Sequence, residues 1–369
     1  MRGNSRWRFA MRSRTLSLVL SFVLGSSAFP QERTWVEIRG TVHGAKPDAR
    51  GPIGGGKGYK AIVKSGNHTA TDLDSLIEAL SRAKAGEVVF IPGETEIDLT
   101  ARVYIEKLAL VVPAGVTLAG ERGRDGTQGA ILTSDSLDTP CMIRAGGPGV
   151  RITGLRVRGP NPKRYLEHHN RAFGTGGAGR DYYNKFPRSD GIVSDQPELE
   201  VDNCEISAFG HAGILLLAGT GHRVHHNSIH HCQYQGLGYG VCHDAAASLI
   251  ENNLFDSNRH SIAGTGRPGC SYVAKNNVEL GVSLAHCFDM HGGADRGDGT
   301  EIAGTAIEIS NNTFRAPETP IVIRGVPQEK CDVHHNWFVQ HAEPGQAVTA
   351  GAKTDVHDNA YGPRPTASR

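Results

Sequence analysis

From residue 200 onward, short apolar runs recur, each closing on an asparagine: VDNCEI, VHHNSI, IENNLF, AKNNVE, ISNNTF, VHHNWF and VHDNAY. The asparagines are Asn203, Asn227, Asn253, Asn277, Asn312, Asn336 and Asn359, spaced 24, 26, 24, 35, 24 and 23 residues apart. A unit of this length is too short for a propeller blade or a helical hairpin repeat. Leucine does not recur at fixed offsets, which excludes a leucine-rich repeat. Each unit carries two or three short β-rich runs parted by Gly, Asn, Asp and His, which suits one rung of a parallel β-helix. The segments VTLAGERG (116–123) and VRITGLRVRG (150–159) read as degenerate earlier turns. Stacked rungs predict that the asparagines lie one above another at an inward turn and exchange amide hydrogen bonds. Their role is then structural.

A different period appears once, in TDLDSLIEALSRAK (71–84). Leu73, Leu76, Ile77 and Leu80 follow the i, i+3, i+4, i+7 pattern of an amphipathic helix, with Thr71 as its cap and Asp74 at N3. Open strand edges at the end of a solenoid recruit other chains, so this helix is expected to cap the N-terminal end. The first strand follows at EVVFIP (87–92). GPIGGGKGY (51–59) lacks the GK[ST] of a phosphate cradle and reads as a loop. The expected fold is all-β, a single-stranded parallel β-helix over 69–362. An extension over 29–68 precedes it, a tail over 363–369 follows, and a loop is inserted at 160–189.

Glycine, at 47 of 369 residues, fits a turn-rich chain without the G-X-Y period of collagen. No apolar run reaches the ~18 residues of a membrane span. Residues 1–28 have arginines, a short apolar stretch from Leu16 to Leu24, and then Ser26-Ser27-Ala28, as a cleavable export signal does. Removing them leaves 34 basic against 38 acidic residues. That balance predicts neither a nucleic-acid nor a membrane partner. The chain is expected to be secreted or periplasmic, and a monomer. Seven cysteines without a CxxC support neither a disulfide scaffold nor a zinc ribbon. One bridge is expected, Cys242 to Cys270, because both follow the same strand on successive rungs.

Aligning the rungs on Ile192, Ile214, Leu237, Ile262, Phe288 and Ile321 lets alternation decide which neighbours face outward. Asp289, His291 and Arg324 then project from one face. His211, Tyr234, Arg259, His260 and His286 sit at its turn edge, and Gly238, Gly240 and Ala263 form a floor. The same register points Tyr239 inward. The insertion enters at this edge, with Lys163, Arg164, Lys185, Tyr182 and Tyr183 among its basic and aromatic residues. Such a wall suits an acidic sugar chain, since rings stack on pyranose faces and guanidinium pairs with carboxylate.

The whole mature chain resembles the secreted right-handed parallel β-helix proteins of the pectate-lyase-like superfamily. The resemblance rests on the N-terminal helix followed by EVVFIPG and PAGVTLAGERG, the Asn-centred rungs, and the blocks GLGYGV, NRHSIAGTG and FDMHG. That superfamily includes polysaccharide lyases, uronate epimerases, polygalacturonase-type hydrolases and non-enzymatic surface or periplasmic proteins; the non-enzymatic alternative for this chain is a β-helix that binds a glycan or a metal. The lyase WxDH-type signature and the hydrolase aspartate set with GHG and RIK are absent here. Chemistry then separates the activities. Hydrolysis needs two flanking carboxylates, whereas β-elimination needs a cation for the uronate carboxylate, a base and an acid. The expected roles are Arg259 for neutralisation with Arg324 assisting, His260 as base, and Tyr239 or Tyr234 as acid, with Asp289 and His291 orienting. An epimerase shares the first half of that list. The resemblance also implies calcium for many lyases; DRGDGTE (295–301) is the one candidate loop, and a plain turn is the simpler reading.

Overall fold

The computed structural model describes residues 33–365, so the expected export signal and the last four residues lie outside the described part. Each rung passes through three short strands in a constant order, and equivalent strands of successive rungs pair in parallel. The first sheet contains Leu110–Val112, Ile143–Ala145, Asp190–Ser194, the opening halves of Ala212–His225 and Tyr239–Glu251, His260–Gly264, Phe288–Met290 and Ile321–Ile323. The second runs from His68–Thr69 through Arg151–Thr153, Glu200–Asp202 and the closing halves of those two long strands to Thr354–His357. The third has ten strands among the described residues, from Glu96–Asp98 to Ala360–Tyr361. The core runs down the middle: Ile192, Ile214, Val241, Ile262, Phe288 and Ile321 are all fully buried in it.

The corner between the second and third sheets repeats with little change. One residue adopts a left-handed conformation at each level, as at His226, Asn252, Asn276, Asn311 and His335. The next residue is the ladder asparagine. Asn227, Asn253, Asn277, Asn312 and Asn336 each donate an amide N–H to the side-chain oxygen of the next asparagine at 3.0 Å, ending at Asn359. Each of those oxygens also accepts a backbone N–H, so the buried amides are satisfied in both directions. Asn203 is a correction. It takes the left-handed position, and Cys204 stands where the ladder residue belongs, its N–H donating to Asn227.

Asn203 is instead used outside the coil. Its side chain accepts from the Gly56 N–H and donates to the Arg122 carbonyl. The glycine-rich loop is therefore a strap over this corner. Gly54 N–H donates to the Asn252 carbonyl, Tyr59 Oη to Asp202, and Arg50 pairs with Glu251. Gly55, with φ +67°, passes so close that a side chain would strike the His226 carbonyl and Asn203. Upstream, the hairpin Trp35–Ile38/Thr41–Gly44 lies on the same corner, with Gly44 N–H bonded to the His335 carbonyl.

The helix spans Leu73–Arg82 and buries Leu76 and Leu80 in the core cluster, beside the first strands of the second sheet. Its cap is Asp72 rather than Thr71, in a reciprocal pair with Ser75. The register expectation also needs correcting, since Val241 and not Leu237 takes the core position. Residues 234–238 form a turn with Gly236 at φ +94° and Gly238 at φ +74°, so the strand begins only at Tyr239. All seven cysteines are free. Cys242 packs on the outer face of the first sheet and Cys270 in the interior, so the expected bridge does not form.

Two predictions follow from the corner. Asn277→Ala leaves Asn253 and Asn312 without their buried partner, so unfolding in urea should show a loss of roughly 2–4 kcal/mol. His226 lies beneath the strap, 3.2 Å from Asp48, and its pKa is lowered to about 4, mainly by burial, with His225 adding and Asp48 opposing. The unfolded chain takes up that proton more readily, so this stabilisation is complete above pH 6.5 and is lost as pH falls towards 4. His226→Gln should therefore show a flatter fall in the urea midpoint across that window than the native chain.

Candidate active site

The outer face of the first sheet carries a row of residues that simple alternation misplaces. The ladder pairs Asp190 with Ala212, Ala212 with Tyr239 and Tyr239 with His260, then skips Gly191, Gly213, Gly240 and Ser261 before resuming at the core residues. Two residues thus separate successive outward side chains. Tyr239 turns outward with Val193, Leu215, Cys242 and Ala263 rather than inward. Glycine suits the skipped position because a Cβ there points along the stack. At Gly240 it would lie 2.6 Å from the Ser261 carbonyl oxygen.

Stacking makes these residues into a column. Tyr239 lies over His260 with ring centres 5.8 Å apart and 14° between planes, and His260 over His286 at 4.1 Å. His211 meets the Tyr239 ring edge-on and pairs with Asp190 at 2.8 Å. The Arg259 guanidinium sits 6.0 Å from the Tyr239 ring centre and donates to the Leu237 carbonyl. Burial pushes the Tyr239 hydroxyl up to about 12, against the lowering effect of Arg259.

Beside the column stands Asp289, fully buried. Arg324 grips it with two hydrogen bonds, Nε to Oδ1 at 3.0 Å and Nη2 to Oδ2 at 2.8 Å. His291 Nε2 is 2.9 Å from Oδ2, short but poorly aligned for a hydrogen bond, and His286 Nε2 is 3.2 Å from Oδ1. Burial alone would raise this carboxyl; His286 and His291, with the field of His260, hold it well below the usual carboxylate range. The expected grouping of Asp289, His291 and Arg324 on one face is what the structure shows, and Arg259, His260 and Tyr239 join them.

The accessibility of these groups differs. His260 has no exposed surface; its Nδ1–H donates to the His286 carbonyl at 2.6 Å, and burial with Arg259 nearby drives its pKa well below 6.5. His286 and His291 keep 20% and 25% of their side chains exposed. Arg324 is less free than expected, because Nη1 also reaches Asp295 at 3.2 Å.

The insertion folds into two helices, Leu166–Phe173 and Gly179–Tyr183. Tyr183 and Tyr234 are corrections as sugar-facing residues. They stack 5.5 Å apart and are 6% and 1% exposed, forming with Ala172 the insertion's own small core. Arg164 is a fastener, donating to Gln235 Oε1 and the Leu284 carbonyl. Lys163 and Lys185 are exposed, and Tyr182 lines a hollow of about 470 Å³ with His168 and Arg171. The insertion reaches the column through Leu237, which packs against both clusters.

The calcium-loop expectation at 295–301 meets a set of carboxylates already used by protein donors. Asp298 accepts from Thr300 and Arg296, and Asp295 from Gly292 N–H and Arg324. The segment is a short helix, Gly293–Arg296, and a turn. Gly240→Ala should push Tyr239 off His260 and cost about 1–3 kcal/mol by overpacking, measured by urea unfolding together with the near-ultraviolet dichroism of the tyrosine.

A family model described as a right handed beta helix region matches residues 168–278. No curated protein matches. An alginate lyase from Paenibacillus sp. is similar in structure at 13% identity and TM-score 0.43, covering 80% of this chain and 97% of its own. A family 28 exopolygalacturonase from Yersinia enterocolitica is similar at 11% identity and TM-score 0.43, with 82% and 76% covered. A PL6 family alginate lyase stands at 14% and 0.43, with 82% and 41% covered. With three parallel sheets stacked rung on rung and the right handed beta helix model matching its middle, the chain has the fold of a parallel β-helix.

Proposed function

We propose that the chain is an exported lyase that cleaves a uronic-acid-containing polysaccharide by β-elimination. The observation that carries this reading is the state of Asp289. It is the carboxylate at the centre of the site, it has no exposed surface, and Arg324 holds both its oxygens. A glycosidase needs two carboxylates that face the scissile bond, and Asp289 faces the protein. What faces outward beside it is cationic, imidazole and phenolic, which is the equipment of elimination.

In this scheme Arg259 pairs with the uronate carboxylate and steadies the charge that grows on it as the C5 proton leaves. His291 is the base we assign, in place of the buried His260. Its Nε2 lies 2.9 Å from Asp289 and a quarter of its side chain is exposed, so Nδ1 is the nitrogen we assign to take the C5 proton. The Tyr239 hydroxyl, held up at about 12, stays protonated at neutral pH and supplies the proton to the departing O4. The C4–O4 bond breaks as the C4–C5 double bond forms. Lys163, Lys185 and Tyr182 on the insertion extend the contact to neighbouring sugars.

The test is a panel of polyuronates followed by the ultraviolet absorbance of an unsaturated uronate. Arg259→Ala should lower kcat more than it raises KM, because the charge it steadies exists fully only in the transition state. His291→Ala should cost on the order of 10²–10⁴-fold in kcat with the fold intact by circular dichroism. Binding without turnover across the panel would refute the lyase. So would solvent deuterium appearing at C5 with no unsaturated product, the signature of an epimerase.

A further inference from the structure

We propose that His260, His286 and Asp289 form a binding site for a first-row transition-metal ion such as zinc. One donor atom from each lies within 4.8 Å of the other two. His286 Nε2 to Asp289 Oδ1 is 3.2 Å and His260 Nε2 to Asp289 Oδ2 is 3.8 Å. Ligands on a tetrahedral ion, with bonds of about 2.0–2.1 Å, stand about 3.3 Å apart. The first edge already has that length, and the second is about half an ångström longer.

His260 gives the independent indication of a ligand. Its side chain has no exposed surface, and its Nε2 has no hydrogen-bond partner. The opposite nitrogen donates to the His286 carbonyl at 2.6 Å, which places the lone pair on Nε2 and aims it at Asp289. A carbonyl on the far nitrogen is the usual support of a metal-bound imidazole. The Tyr239 and His286 rings on either side hold the plane of His260. Two imidazoles and one carboxylate favour zinc, cobalt or nickel over calcium or magnesium, which prefer oxygen donors. Three protein ligands leave a fourth coordination position for water or a substrate oxygen.

Arg324 is the resident competitor. Its Nη2 lies 2.8 Å from Asp289 Oδ2 and 3.0 Å from His286 Nε2, touching two of the three ligand residues. An ion can enter only as the guanidinium withdraws, and Asp295 on Nη1 is its alternative partner. The geometry therefore describes an exchange of one cation for another, with Asp289 neutralised in both states.

The experiment is a cobalt(II) titration followed by visible absorption, without substrate, so it is decided separately from the elimination reading. Three proteins are compared: native, Arg324→Met and His260→Gln, each checked by circular dichroism. The native protein should take up cobalt with a ligand-field band, and Arg324→Met should bind it about tenfold or more tightly, since a like charge has been removed from the site. His260→Gln should lose the band, and excess calcium should not displace it from the native protein. If Arg324→Met misfolds, the native protein against His260→Gln decides. Absence of a band in the native protein and in folded Arg324→Met would overturn the proposal. A band that survives His260→Gln would also overturn it, placing the ion on surface imidazoles such as the stacked pair His334 and His357.

Discussion

A chain that stacks on itself every ~4.8 Å must solve the same backbone problem at every level. Each corner buries peptide groups that no strand partner reaches, and a solution that works on one rung must also fit the rung above. The corner between the second and third sheets meets this with one left-handed residue and one inward asparagine. The amide is the side chain that can donate upward and accept from below in the same plane, so the ladder propagates without a break from Asn227 to Asn359. Everything else inherits this register, including which positions fall into the core and which face outward.

The same stacking builds the site. Residues far apart in sequence but equal in rung position become neighbours, which is how Tyr239, His260 and His286 form one column. Asp289 is the fully buried carboxylate beside the column, and Arg324, His286 and His291 gather around it. Asp289 stays ionised in a buried position because Arg324 donates to both its oxygens and His286 and His291 lie against them. His260 takes the opposite course. It is buried among Arg259, His286 and an aromatic ring, and stays neutral with its Nε2 lone pair uncommitted.

The outer side of the asparagine corner is closed by the strap rather than left to solvent. Its interactions are polar and specific: Asp48 with His226, Arg50 with Glu251, Tyr59 with Asp202 and Gly56 with Asn203. The insertion at 160–189 is fixed differently, by an aromatic cluster of its own around Tyr183 and Tyr234. The strap adds the apolar packing of Ile53 on Val278 and Leu254, and the insertion adds the hydrogen bonds of Arg164 and Tyr183. The insertion also borders the site, through Leu237 and the contact of Arg164 with the Leu284 carbonyl.

The rung length, the asparagine ladder and the outward grouping of Asp289, His291 and Arg324 were readable from residue spacing, because a repeat with period-two strands leaves a periodic trace. The amphipathic helix was readable for the same reason, with its cap misplaced by one residue. Three things were not. Asn203 looks like a ladder residue, but a one-residue offset puts Cys204 on the ladder and frees Asn203 to hold the strap, 147 residues distant in sequence. Tyr239 appears to point inward, and only the repeated skip at Gly191, Gly213 and Gly240 turns it out. The burial of Tyr183, Tyr234 and His260 depends on what packs over them, which no local pattern encodes. Sequence determines what repeats, since repetition is local; the tertiary structure alone decides offsets, skips and covers, since each is set by contact with a distant part of the chain.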